Sequence, residues 1–353
     1  MLRLIADDGL GPLAHVVPDQ YGERVGLEVA MADLDRQAHT WDGSRTHPKA
    51  VGFSWDDEDA SDRRWWPQGL TTSADAAAVS SDVLPRQRRV LLTAWYAKEP
   101  EGSGAATRLS LVDLDAGRAG PRYAHVLLVI PQRDDVSGTI GARPITVHAG
   151  GLVWCGQHLL LADTRRGLRV FDLANLTRLD GRGHQWPGFR FVLPQSGWWR
   201  ARAEGDTQPL RWSFASLDTT EPTALSLIAG EYARDGAAAR LARFALDPDT
   251  GSLMAAGAVE VIRAGLTSMQ GAVRVHGTYV VCSSRGRLHR GQMWTGRPGG
   301  GPWTRHPRAL PVGPEDLSYD PGSGLLWIQT EYPGRRCVLN RPLPGGLTPA
   351  ARR

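Results

Sequence analysis

The stretch Val90-Leu-Leu-Thr-Ala-Trp-Tyr96 recurs in outline four more times along the chain. The copies are His158-Leu-Leu-Leu-Ala-Asp-Thr164, Leu225-Ser-Leu-Ile-Ala-Gly-Glu-Tyr232, Thr278-Tyr-Val-Val-Cys-Ser-Ser284 and Leu325-Leu-Trp-Ile-Gln-Thr-Glu-Tyr332. Each is a short apolar run that ends in small or polar residues. Such a run describes a strand buried on both faces between neighbouring sheets. An internal repeat of this kind is the strongest fold signal a sequence carries.

A shorter strand with its own opening precedes four of the copies: Pro67-Gln-Gly-Leu70, His148-Ala-Gly-Gly-Leu152, Met269-Gln-Gly-Ala272 and Pro314-Glu-Asp-Leu317. Arg211-Trp-Ser-Phe-Ala-Ser-Leu217 takes that place in the third unit. A third strand follows in several units, as in Leu109–Leu114, Leu168–Leu173, Leu241–Leu246 and Leu288–Met293. Turns such as Asp247-Pro-Asp-Thr-Gly251 and Asp320-Pro-Gly-Ser-Gly324 separate the strands. Strand–turn–strand units without helical periods between them predict an all-β chain, a β-propeller of about five four-stranded antiparallel blades. A β-sandwich would not repeat the same opening residues at the head of successive units.

The expected organisation is one domain over 1–353, with a closing segment at 1–50, blades over 51–343 and a tail at 344–353. Ala50–Trp55 is expected to add the outer strand of the last sheet, beside Cys337-Val-Leu-Asn340. If Leu13–Val17 and Arg24–Asp33 are strands as well, the count becomes six.

Composition agrees with many short strands: 41 glycines and 24 prolines are scattered among 353 residues. Net charge is only +4, and of the 41 basic residues just Lys49 and Lys98 are lysines. With no basic run and no nucleic-acid motif, a nucleic-acid partner is not expected. The opening Met1–Asp8 carries acids where a signal peptide is apolar, and no window has the length of a membrane span. Cys155, Cys282 and Cys337 are odd in number and read as buried thiols, which suits a reducing compartment. These features predict a soluble, cytoplasmic monomer with no membrane partner.

Several segments resemble a family of actinobacterial β-propeller proteins, mostly secreted and of unassigned function. They are Phe53–Asp62 running into Trp66-Pro-Gln-Gly-Leu70, Tyr123–Leu128, His148–Leu173, Val192–Gln195, Gly230–Tyr232, Gly313–Leu317 and Thr330–Gly334. The resemblance implies the propeller fold but no mechanism. Neither the signal peptide nor the paired cysteines usual in that family is evident here, so an intracellular relative with a specialised metabolic role is expected.

Antiparallel geometry puts the start of a first strand and the end of a second strand on one face of a blade. Gln68, His148, Gln270 and Glu315 are therefore expected around one mouth of the central channel. Trp95, Asp163, Glu231, Ser283 and Glu331 ring them. His148 and Glu315 are the candidate catalytic acid/base pair. Gln68, Gln270, Trp66, Trp95, Asp163, Glu231, Trp199 and Glu331 are the candidate substrate contacts, though such polar heads also satisfy backbone groups in any propeller. Several of the 13 tryptophans, including Trp65, Trp186, Trp198, Trp212, Trp294 and Trp303, are placed for aromatic walls or for packing between blades.

No nucleophile elbow, zinc motif or dinucleotide loop is present. The run Asp56-Asp-Glu-Asp59 has carboxylates for calcium but not the spacing of a calcium loop. The expected function is redox-neutral, cofactor-free acid/base chemistry on a small molecule at the channel mouth, as a cyclase, lyase or isomerase, natural-product biosynthesis being one setting. The alternatives are a glycan- or peptide-binding propeller without catalysis, and a glycoside hydrolase using Glu315 with Glu231 or Asp163. Any bound metal is expected to be calcium or another hard cation; elemental analysis finding stoichiometric zinc or iron would overturn that.

Overall fold

The structure is a computed structural model that describes residues 1–42, 50–79, 88–98, 106–117, 119–181, 186–221, 224–236, 239–298, 302–307, 309–344 and 347. It is an all-β propeller. The first strands, Trp65–Thr72, Leu152–Cys155, Phe214–Asp218, Met269–Val275 and Pro314–Asp320, pack one against the next, and the last returns to the first. Antiparallel pairing runs outward from each of them. Trp65–Thr72 pairs with Val90–Ala97, then Thr107–Asp113, then Arg122–Arg133. The same order holds for Leu152–Cys155, His158–Asp163, Gly167–Asp172 and Phe191–Ala203. Phe214–Asp218 and Met269–Val275 each head a four-stranded sheet.

The ring is completed by residues far apart in the chain. Val51–Ser54 pairs with Val338–Pro342, with Phe53 opposite Val338, and His39–Asp42 adds a further strand outside it. This is the pairing the sequence implied. The repeated second strands are buried almost throughout because a sheet covers each of their faces.

Three expectations are corrected. Leu13–Val17 lies in the helix Gly11–Tyr21, and Leu27–Ala32 is a second short helix; Pro12 fits the first turn of the former, where its missing N–H costs nothing. Only Gly22–Arg24 of that region is extended before the chain reaches Arg36–Gln37. The stretch 174–210, which reads in the sequence as a long insertion between units, is no insertion, since Phe191–Ala203 within it is a 13-residue strand. Its first half pairs parallel with Arg122–Arg133, joining two sheets that were expected to be separate. Finally, Leu288 is exposed and the strand there begins at Gln292.

The acidic run also has a structural use. Asp56 caps the short helix Asp57–Ser61 by accepting the Asp59 N–H at 2.9 Å. Asp59 is 1% exposed and accepts hydrogen bonds from Arg108 at 2.5 Å, Tyr123 at 2.6 Å and His125 at 2.9 Å. These donors and cations hold its carboxyl far below the usual range, against the opposing effect of burial. Burial, the largest cause, pushes the His125 imidazole down to about 4, and Arg108 adds to the shift. Ser110 completes a Ser–His–Asp array, its hydroxyl 3.1 Å from His125 Nδ1, but all three residues are buried. The array is part of the scaffold.

At the axis the first strands approach so closely that side chains are excluded. A Cβ on Gly69 would lie 2.6 Å from the Leu152 nitrogen, and one on Gly151 would lie 2.1 Å from the Ala215 nitrogen. Asp316 fills the space that remains. Its carboxyl, completely buried, accepts the backbone N–H groups of Leu70 at 2.9 Å, Leu152 at 3.3 Å and Leu317 at 2.9 Å. Three separate first strands meet on this one side chain. Replacing Asp316 by Ala leaves buried N–H groups without partners, each costing about 1–3 kcal/mol. We expect Asp316→Ala to lose about 3–5 kcal/mol in urea denaturation, Asp316→Asn less, and the exposed Asp134→Ala almost nothing. Equal stability of Asp316→Ala and wild type would show that the clip is dispensable.

Candidate active site

Directly above the axis lies a cavity of about 330 Å³. Gln68, His148, Gln270, Glu315 and Glu331 all line it, together with Arg211, Tyr232, Ser268, Ser284, Arg285 and Tyr332. The head residues reach it through a recurring backbone device. The pairing register shifts between Pro67 and Leu70, between Met269 and Gly271, and between Glu315 and Leu317. A β-bulge re-aims the side chains at the point where it interrupts the ladder. Gln68, Gln270 and Glu315 each stand at one of these bulges. Ala149, Ser268 and Asp316 also adopt positive φ, of 59°, 52° and 38°. Strained backbone therefore gathers at the floor of this cavity, as it does at many functional sites.

The two carboxyl groups among the described lining residues are neighbours. Glu315 is 2% exposed, and its carboxyl interacts with that of Glu331. Burial is the main cause that drives the Glu315 pKa well above the ordinary value, and the neighbouring Glu331 and Asp316 charges reinforce it. Burial likewise raises Glu331, opposed by hydrogen bonds from Tyr332 and Gln68 and by the cations of Lys98 and Arg287. Two carboxyls in contact cannot both ionise cheaply, so the pair holds one proton between them.

The glutamines are fixed to this pair. Gln270 Nε2 donates to Glu315 Oε1 at 2.7 Å, and Gln68 Nε2 donates to Glu331 Oε2 at 3.3 Å and to the Pro67 carbonyl at 2.9 Å. Ser284 is hydrogen bonded to Tyr332, whose phenol is pushed up to about 12 by burial and by Glu331. His148 lines the cavity from the segment that leads into the first strand Leu152–Cys155, with its ring 4.5 Å from that of Tyr96. The crowded wall, and then the Arg211 cation, hold its pKa below the usual histidine value. A neutral imidazole, a proton-sharing carboxyl pair and two arginines thus surround one small polar space.

Other expected contacts lie elsewhere. Asp163 accepts from Arg169 at 2.8 Å, and that arginine also donates to Gln195 at 2.8 Å and lies 4.3 Å over the Trp198 ring. Glu231 is tied to Arg240 at 2.7 Å and to the backbone N–H groups of Arg211 and Arg240. Neither carboxylate faces Glu315 across the cavity, so the glycosidase pairs expected from the sequence are not formed. Trp95 is completely buried between blades, 4.8 Å from the Arg108 guanidinium. Trp66 and Trp199 line two separate depressions. Trp212 stacks on Phe244, and no tryptophan lines the cavity. Gly150 and Gly151 pack on the backbone of Ser213–Ala215 and leave no room for a ligand there.

The tyrosines and arginines of the cavity were missed. A signal was present: the dipeptide Glu-Tyr ends two second strands, at Glu231-Tyr232 and Glu331-Tyr332. Both tyrosines reach the cavity, but only one of the two glutamates does.

A raised carboxyl pKa has a definite sign for stability. The folded chain keeps a proton that the unfolded chain releases, so stability is greatest at low pH and declines as pH rises above the ordinary carboxyl range. Buried neutral His125 acts oppositely at low pH. Comparison of variants isolates Glu315: between about pH 5 and about pH 9, wild type should lose more stability than Glu315→Gln, read from urea midpoints. Parallel pH profiles would mean that Glu315 titrates normally.

No protein-family model matches the chain, and no curated protein matches it in sequence. Solved structures do resemble it in outline. The GH43_1 enzyme from Xanthomonas citri complexed with xylose is 13% identical, with a TM-score of 0.36 over 85% of this chain and 92% of that one. CoXyl43, a GH43 beta-xylosidase/alpha-arabinofuranosidase from a compost microbial metagenome, is 9% identical, with a TM-score of 0.35 over 82% and 94%. The computationally designed Ika8 protein is 10% identical, with a TM-score of 0.29 over 90% and 99%. With likenesses this distant, the chemistry of the cavity is read from its own residues.

Proposed function

We propose that the chain is a five-bladed propeller enzyme that performs acid/base chemistry on a small, hydroxyl-rich molecule of about monosaccharide size. Five groups in cyclic order, four of four strands and the last of five, support the blade count. The observation that carries the function is the contact between Glu315 and Glu331 inside a cavity lined otherwise by amides, hydroxyls, a histidine and arginines. A shared proton makes one carboxyl a donor and the other an acceptor at neutral pH. Gln270 and Gln68 fix which oxygen faces the substrate. His148, kept neutral, is the second proton acceptor on the opposite side.

Proton transfer within one substrate, as in an isomerisation or elimination, suits this arrangement. Both acid and base then act on neighbouring atoms, and no redox partner is consumed. Glycoside hydrolysis is a second reading, favoured by the hydroxyl-rich lining. It requires Glu331 to part from Glu315 on substrate binding, because two-carboxylate glycosidases hold these groups about 5–10 Å apart. Products formed in deuterated water separate the two readings. Isomerisation by proton removal and return places solvent deuterium on carbon and elimination leaves a new C=C bond; hydrolysis of a glycoside does neither.

His148→Ala and Glu315→Gln should each lower kcat/KM by about a hundredfold or more, the range for loss of a general acid or base. Melting temperatures measured near the ordinary carboxyl pKa, where Gln is a near isostere of the protonated group, should stay close to wild type. Turnover unchanged in both variants would reduce the cavity to a binding site.

A further inference from the structure

Tyr332 lines two cavities. Beyond it, on the side away from the axis, lies a second depression of about 590 Å³ built on Trp66 and Tyr332 and surrounded by Arg63, Lys98, Arg287 and Arg335. Among the described residues, its lining contains no acidic side chain. Cations gather over the rings: Lys98 Nζ is 4.8 Å from the Trp66 centroid, and the Arg287 guanidinium is 5.7 Å from Trp66 and 5.4 Å from Tyr332. Arg336 approaches Trp66 from beneath at 5.7 Å.

This concentration is unusual in a chain with only 41 basic and 37 acidic residues. Several arginines elsewhere are matched to carboxylates, as Arg36, Arg108, Arg169, Arg240 and Arg274 are. Among the described residues, Arg63, Lys98, Arg287 and Arg335 form no ion pair. Mutual repulsion of four cations around two aromatic faces is a cost that a bound anion would relieve. Lys98 and Arg287 also reach the catalytic pair electrostatically, since both lower the Glu331 pKa. The depression and the axial cavity are thus adjoining parts of one charged surface.

We propose that the substrate carries an anionic group, held in this annex, while its hydroxyl-rich body extends past Tyr332 to the Glu315–Glu331 pair. The inference rests on the cavity being the substrate site, and it adds the substrate's charge and direction. A sugar acid, a sulfated sugar or a sugar phosphate supplies the required chemistry. Trp66 and Tyr332 would stack the apolar face of a ring next to the charged group.

Calorimetric titration with digalacturonate, a sulfated disaccharide, glucose 6-phosphate and neutral digalactose at low salt tests this. At least one anionic probe should bind about tenfold or more tightly than digalactose, and that advantage should shrink in raised salt. The double variant Lys98→Ala/Arg287→Ala should abolish the advantage without weakening digalactose, and Arg287→Lys should restore part of it. Which probe gains most identifies the anionic group. Equal affinity for charged and neutral probes, an advantage that survives the double variant, or no binding of any probe would each overturn the proposal. The turnover of His148→Ala and Glu315→Gln decides the cavity's function independently of these outcomes.

Discussion

The Asp316 carboxyl is the point on which the molecule turns. A propeller needs its innermost strands to meet at the axis, but strands that converge cannot also pair laterally with one another, and their N–H groups there lose both water and ladder partners. One short acceptor side chain, on a residue held at positive φ, satisfies Leu70 and Leu152 from two other first strands together with its own neighbour Leu317. Gln329 does related work by donating to the carbonyls of Gln68 and Gly69, at 2.6 Å and 2.9 Å. The floor of the cavity is rigid because these backbone groups have no alternative partners.

That rigidity explains why the site sits where it does. The same bulge that lifts Asp316 into the axis leaves Glu315 facing the cavity, and its proton is retained by burial and by contact with Glu331. Structure and chemistry therefore use adjacent residues in different ways. Burial raises the pKa of both carboxyls, but Asp316 is taken up by three backbone N–H groups whereas Glu315 faces the cavity.

Much of this was legible in the sequence for a simple reason. A strand covered on both faces must be apolar throughout, so the five second strands announce themselves, and a bulge that recurs at the axis leaves a recurring Gln-Gly or Glu-Asp at the strand head. Those signals place Gln68, Gln270, Glu315, Glu331 and His148 together. What was not legible depends on register and partners. Asp163 and Glu231 occupy positions equivalent to Glu331, yet the neighbouring strands present Arg169 and Arg240 to them and remove them from the cavity. The helix Gly11–Tyr21 was obscured by a low contrast between its faces, and the parallel pairing of Phe191–Ala203 by the long sequence distance to its partner.

The last sheet has an implication for how the molecule comes into being. Its strands at Pro314–Pro342 receive their outer partners from His39–Ser54, so the two edges that must find each other are separated by most of the polypeptide. On a ribosome, the earlier segment emerges first and stays without its mate until Val338–Pro342 has been made. Ring closure is then a late event with a large loop to close, and slow, topology-limited assembly is its natural kinetic signature. In the interval, the apolar residues of the early segment, Phe53 and Trp55 among them, are a nascent-chain surface that a chaperone would shield.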